Sequence, residues 1–140
     1  MAATTIEGAI AERLAADEAI IAVIGTTPIV PISDPSPLPR PRLYYQTLTG
    51  QRLMSNDGPA ALTQTLIFFY ASAGSLLVAK QLARLVRTSL EGFRGTLGEQ
   101  IHVACIRCGG PIDEAADIAP GQSKAAQRVR LEITVDWHDA

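Results

Sequence analysis

The sequence predicts an α+β fold: a mainly antiparallel sheet of about four strands packed against a long helix and an amino-terminal helix. Three observations carry this. Ile6, Ile10 and Leu14 recur at helical spacing near the amino terminus. Leu82, Leu85, Val86, Leu90 and Phe93 draw the apolar stripe of a second, longer helix. Near the carboxyl end, Val129, Leu131, Ile133, Val135 and Trp137 alternate with Arg128, Arg130, Glu132, Thr134 and Asp136, the signature of a strand with one core face and one polar face.

Each element has a local cause. Thr4 to Glu7 reads T-x-x-E, a capping-box pattern that starts the first helix. Asp17 caps a further short piece, "EAIIAVIG", and Gly25 ends it; together they make an amino-terminal helical region over about 4–24. A proline-rich arm follows over 28–42, in which Pro31, Pro35, Pro37, Pro39 and Pro41 enforce extended backbone that cannot pair as a central strand. At Leu43 the prolines stop and a sheet-and-helix core over 43–138 begins. "RLYYQTLTGQRL" and "ALTQTLIFFYA" read as two strands, and "SNDGP" between them as the irregular tip of a long hairpin. Ser72 or Ser75 caps the main helix and Gly92 or Gly95 ends it, giving a rod of about 27 Å, long enough to cover a small sheet. "QIHVACIRC" is a third strand, "GGPIDEAADIAPGQSK" reads as a loop from its Gly, Pro and acidic content, and the alternating segment is the last strand. In "LIFFY", Leu66, Phe68 and Tyr70 point one way and Ile67 and Phe69 the other, so both sheet faces need cover. The amino-terminal helix is the first choice for the second face, another subunit the alternative.

Composition narrows the function. With 140 residues, 47% hydrophobic and 19% charged, the chain supports a single domain, 1–140. A net charge of −2 argues against affinity built on general phosphate neutralisation. No apolar run reaches the length of a membrane span, and the acids within "MAATTIEGAIAERLAAD" predict a cytosolic start rather than a leader.

Chemistry-bearing constellations are few. His102-x-x-Cys105-x-x-Cys108 has ligand types for zinc and the C-x-x-C of redox sites, but on a regular strand Cys105 faces away from both His102 and Cys108, and no second C-x-x-C completes a site. Asp113, Glu114 and Asp117 lack the spacing of a calcium loop. There is no G-x-S-x-G or Walker sequence, and neither His102 nor His138 has an evident nucleophile. The expectation is therefore no enzyme: no catalytic residues, no cofactor and no metal. Lys80, Arg84 and Arg87 form a basic helix stripe. Its bland reading is a solvated face; its functional reading is an electrostatic contact to a neighbouring subunit's acidic segment around Asp113 and Glu114. Pro35, Pro37, Pro39 and Arg40 are candidates for an extended strap against a neighbour, with a solvated connector as the alternative.

The order of these segments, from the helix leading to "AIIAVIG" through "LYYQTLTGQRLMSNDGP" and "TQTLIFFYASAGSLLVAKQLARLVRTSLEGFRG" to the strand ending near Trp137, resembles the tail completion proteins of tailed bacteriophages, also called tail-to-head joining or tail terminator proteins. That resemblance implies a virion structural protein and a homo-oligomer, usually a hexameric ring, on the head-proximal end of the tail. The ring would stop growth of the tail tube protein, present a surface to the head's connector or stopper protein, and leave a channel through which genome DNA passes without specific binding. No membrane is involved, and assembly would take place in the host cytoplasm. Two alternatives remain: a head-side adaptor or stopper of the phage neck, and a cellular small-molecule binding module.

Overall fold

The computed structural model describes residues 5–32, 41–55, 58–98, 100–117 and 126–139, with side chains placed at 5–32, 41–48, 62–98, 100–113 and 127–138. Two short helices open it, α1 (Ile6–Ala15) and α2 (Glu18–Ile24). Thr5, rather than Thr4, caps α1, its hydroxyl accepting from Gly8 N–H at 3.1 Å. Glu7 then sits in the first turn, where the helix dipole favours an acid. Asp17 accepts from Ala19 N–H at 2.9 Å to start α2, and Gly25 ends it at φ +62°, a conformation glycine adopts without strain. The long helix α3 (Leu76–Leu90) is capped by Ser75, whose hydroxyl accepts from Val78 N–H. Ser72 is buried in the preceding strand instead.

Among the described residues the sheet has six strands rather than about four: β1 (Val30–Pro31), β2 (Arg42–Ser55), β3 (Gly58–Ala73), β4 (Gly95–Leu97), β5 (Ile101–Asp117) and β6 (Ala126–Asp139), in the order β1-β2-β3-β6-β5-β4. All neighbours are antiparallel except β1 and β2. The long hairpin is present as β2–β3, with irregular pairing at Thr47/Thr49 and Arg52/Met54.

Two expectations are corrected here. The segment "GGPIDEAAD" is not loop but the second half of β5. Its glycines and proline form a bulge, since pairing jumps from Gly109↔Glu132 to Ile112↔Arg130. Gly110 sits at φ +97°, and a Cβ there would lie 3.3 Å from Arg130 O. Turn-type residues thus mark a kink within a strand.

The second correction concerns the proline arm, whose start has an internal partner. Val30 and Pro31 pair with Tyr44 and Tyr45, and Ile32 N–H donates to Tyr45 O at 2.7 Å. Proline is tolerated because β1 is an edge strand. The chain is therefore anchored at Ile32 and again at Pro41, which runs into β2. Pro35, Pro37, Pro39 and Arg40 lie outside the described residues.

Cross-strand rows define the two faces of the sheet. Leu43–Ala71–Val129, Tyr45–Phe69–Leu131 and Ile67–Ile133–Cys108 share the helix-covered face. This face packs with Ile10 and Leu14 of α1, Ile20 and Ile24 of α2, and Leu82, Val86 and Leu90 of α3 in one core. Each such fully buried aliphatic contributes about 1.5–3 kcal/mol through removal from water. Arg13 ties α1 to the end of α3, donating from Nε and Nη2 to Ser89 O and lying 4.1 Å over the Phe93 ring. The amino-terminal helix therefore joins α3 on the first face. It does not cover the second, because its buried residues Ile6, Ala9, Ile10 and Leu14 belong to that same core.

Candidate assembly surface

No described helix packs over the opposite face of the sheet. Its rows read Arg42–Ser72–Arg128, Tyr44–Tyr70–Arg130, Gln46–Phe68–Glu132, Leu66–Thr134–Arg107 and Gln64–Asp136–Cys105. Strand alternation brings these residues to one side, and the pairing register places arginines beside aromatic rings. Tyr44 and Tyr70 stack with centroids 5.1 Å apart, and Phe68 meets Tyr70 edge-on at 6.4 Å. Arg42 lies over Tyr44 at 4.9 Å, Arg128 over Tyr70 at 4.9 Å and Arg130 over Phe68 at 4.6 Å. Each such contact is worth about 0.5–1 kcal/mol and holds a long side chain in place.

Polar contacts complete the layer. Arg128 Nη1 donates to the Tyr44 hydroxyl at 3.3 Å, and the Tyr70 hydroxyl to Gln46 at 3.4 Å. Asp136 accepts from Arg107 Nη1 at 2.9 Å and from Gln64 Nε2 at 3.2 Å, while Arg130 reaches Glu132 at 3.5 Å. Among the residues with described side chains, Arg42, Arg107, Arg128 and Arg130 face Glu132 and Asp136, so this face is net positive on a chain of net charge −2. Tyrosine and arginine are the residues over-represented where proteins bind one another. The periodicity of β6 signals these positions, but the arginine-on-aromatic layer needs the β3–β6 register to be seen.

A second feature is the β2–β3 ribbon. Pairing of β3 with β6 ends at Thr63↔Trp137, whereas β2 and β3 continue together to Ser55↔Gly58. Beyond Thr63 the two strands have only each other among the described residues. An isolated two-stranded ribbon is marginal in water, which favours a further partner.

The sequence-predicted basic stripe lines a groove of about 500 Å³ between α3 and β5, formed by Lys80, Arg84, Arg87, Pro111 and Asp113. Contacts within the chain already use part of it. Lys80 Nζ lies 3.2 Å from Asp113, and Arg87 bonds Glu91 at 2.8 Å and donates to Gly110 O at 3.1 Å. The Glu91 hydrogen bond raises the Arg87 pKa and lowers that of Glu91. Arg84 is exposed at the same groove. The fold thus brings Arg84, Arg87 and Asp113 together, while Glu114 is described only as backbone opposite Arg128.

The His/Cys motif is divided between faces. A register shift between Val103 and Cys105 turns Cys105 onto the same face as His102, which no regular strand would do, while Cys108 pairs with Ile133 on the helix side. Burial pushes the Cys108 thiol up to about 11, with Glu91 adding to the rise. His102 stacks near His138 with centroids 5.1 Å apart, and its Nδ1 lies 3.0 Å from the Thr96 hydroxyl. Among the described residues no three His, Cys, Asp or Glu side chains gather as a metal site, and no helix is long and apolar enough to cross a membrane.

No family model and no curated protein sequence matches the chain. Among solved structures, the fold is similar to that of a chain in the virion of a native gene transfer agent (GTA) particle, with a TM-score of 0.65 and 18% identity. The alignment covers 96% of this chain and 95% of that one, so the two share one fold from end to end.

Proposed function

We propose that this chain is a non-enzymatic virion structural protein that completes a phage-type tail. In this role it forms a homohexameric ring on the head-proximal end of the tail tube, ends tube polymerisation and offers the tail side of the head–tail junction, with genome DNA passing through its channel. The observation that carries the reading is the end-to-end likeness to a chain of a virion particle, at 96% and 95% coverage. It agrees with the segment order that resembles tail completion proteins. The net-positive aromatic sheet face and the two-stranded ribbon add to it, since both are surfaces that a partner subunit or neighbouring tail protein would complete.

The test is to image the purified protein by negative-stain electron microscopy. A six-membered ring of tube-like diameter is expected; a monomer at high concentration would contradict the proposal. The neighbouring role of a head-side adaptor or stopper is separated by fractionating assembly intermediates, because a tail completion protein travels with headless tails and an adaptor with tailless heads.

A further inference from the structure

The α1–α2 surface and the uncovered sheet face carry opposite charge. On the helix side, Glu12 and Glu18 are exposed on α1 and α2, and Asp17 lies between them. Arg13 is the one basic residue of the two helices, and its guanidinium is turned away to Ser89 O and the Phe93 ring. The outward surface is therefore acidic. It also presents small residues, with exposed Ala15, Ala19 and Ala22 beside Ile21, which is 41% exposed. Small residues let another surface approach closely. On the other side lies the arginine-rich sheet face.

We infer that the acidic α1–α2 surface of one copy docks on the arginine–aromatic sheet face of the next. The inference rests on the ring reading and names the surfaces that would close it. Because the two surfaces are unlike, the contact is heterologous: it closes a ring where the rotation between copies closes, runs on as a filament where it does not, and is not the isologous contact of a twofold dimer. Charge complementarity favours this occupant. The other polyanion, nucleic acid, is disfavoured by geometry: Arg42, Arg128 and Arg130 already cover Tyr44, Tyr70 and Phe68, so the ring faces on which bases would stack are taken. Guanidinium groups held in place on rings remain suited to carboxylates.

The test uses two variants of the full chain. Arg42→Glu/Arg107→Glu makes the sheet face acidic, and Glu12→Lys/Glu18→Lys makes the helix surface basic. Each variant alone sets like charges against each other and should raise the concentration needed for assembly at low salt by about tenfold or more. Mixed in equal amounts, the two should co-assemble into rings of alternating subunits, read by light scattering and native mass spectrometry. Recovery on mixing also shows that each variant is folded. A wild-type ring that both variants form unaided overturns the docking and leaves the ring reading intact, whereas a wild type that stays monomeric overturns both. Loss of assembly without recovery on mixing overturns the docking as well. So does tight binding of a duplex oligonucleotide by the wild type that the arginine variant loses, which would assign the face to nucleic acid.

Discussion

Tyr44 and Tyr70 stand directly opposite each other on β2 and β3, their rings stacked at 5.1 Å with planes 17° apart, and Arg128 ties them by sitting over one ring and donating to the hydroxyl of the other. Both tyrosines are buried although no described helix covers them. The stack should therefore be a measurable unit of stability. In a double-mutant cycle of Tyr44→Leu and Tyr70→Leu, urea unfolding should give a coupling of about 0.5–1.5 kcal/mol. Additive effects would mean that the stack contributes only by burial.

Gly110 is required by the β5 bulge. Gly110→Ala forces a side chain into φ +97° and sets its Cβ 3.2 Å from Ile112 N and 3.3 Å from Arg130 O, both backbone atoms that cannot rotate away. A loss of about 1–3 kcal/mol is expected in thermal or urea unfolding. Gly74→Ala is the control, since a Cβ there meets nothing within 4 Å.

Cys108 gives a pH signature. Its folded thiol is raised to about 11 from an ordinary 9.0, chiefly by burial. Between these values the unfolded chain loses its proton first, so the stability that Cys108 provides is intact below pH 9 and falls as pH rises towards 11. Replacing it with Ala should flatten that alkaline decline in urea midpoints, and Cys105→Ala can be combined with it. The double substitution should leave assembly intact. Stoichiometric zinc in the wild type, with unfolding of the double variant, would establish a metal site instead.

The α3–β5 groove separates folding from assembly. Arg84 is exposed there, so Arg84→Glu should leave the unfolding midpoint nearly unchanged and weaken ring formation most at low salt. Arg87→Glu should cost stability as well, because it sets two acids at i and i+4 and removes the donor to Gly110 O. Equal assembly of wild type and Arg84→Glu across salt concentrations would return the stripe to a solvated face.

Replacing residues 33–40 with a Gly/Ser segment of equal length tests the proline arm. The anchors at Ile32 and Pro41 should hold, so circular dichroism should stay near native. If the prolines dock on a neighbour, flexible substitutes lose more entropy on binding, and assembly should weaken. Assembly and complementation of infectivity equal to wild type would reduce the prolines to spacing.

Local sequence determined the elements whose signals are local. Asp17, Ser75 and Gly25 set helix ends through groups within a few residues, and the alternation of β6 from Arg128 to Trp137 sorted its two faces before any partner was known. Tertiary structure decided what depends on pairing. The stretch after Cys108 became strand because β6 supplied hydrogen-bond partners that outweigh the turn preference of Gly-Gly-Pro. Val30 and Pro31 became an edge strand for the same reason, against Tyr44 and Tyr45. The amino-terminal helix has one apolar stripe, and sequence cannot say against which sheet face it will be buried; Arg13 reaching Ser89, 76 residues away, shows that the choice was made by α3. The arginine-on-aromatic face is of the same kind. Its residues come from separate strands, and only the register brings a guanidinium over a ring.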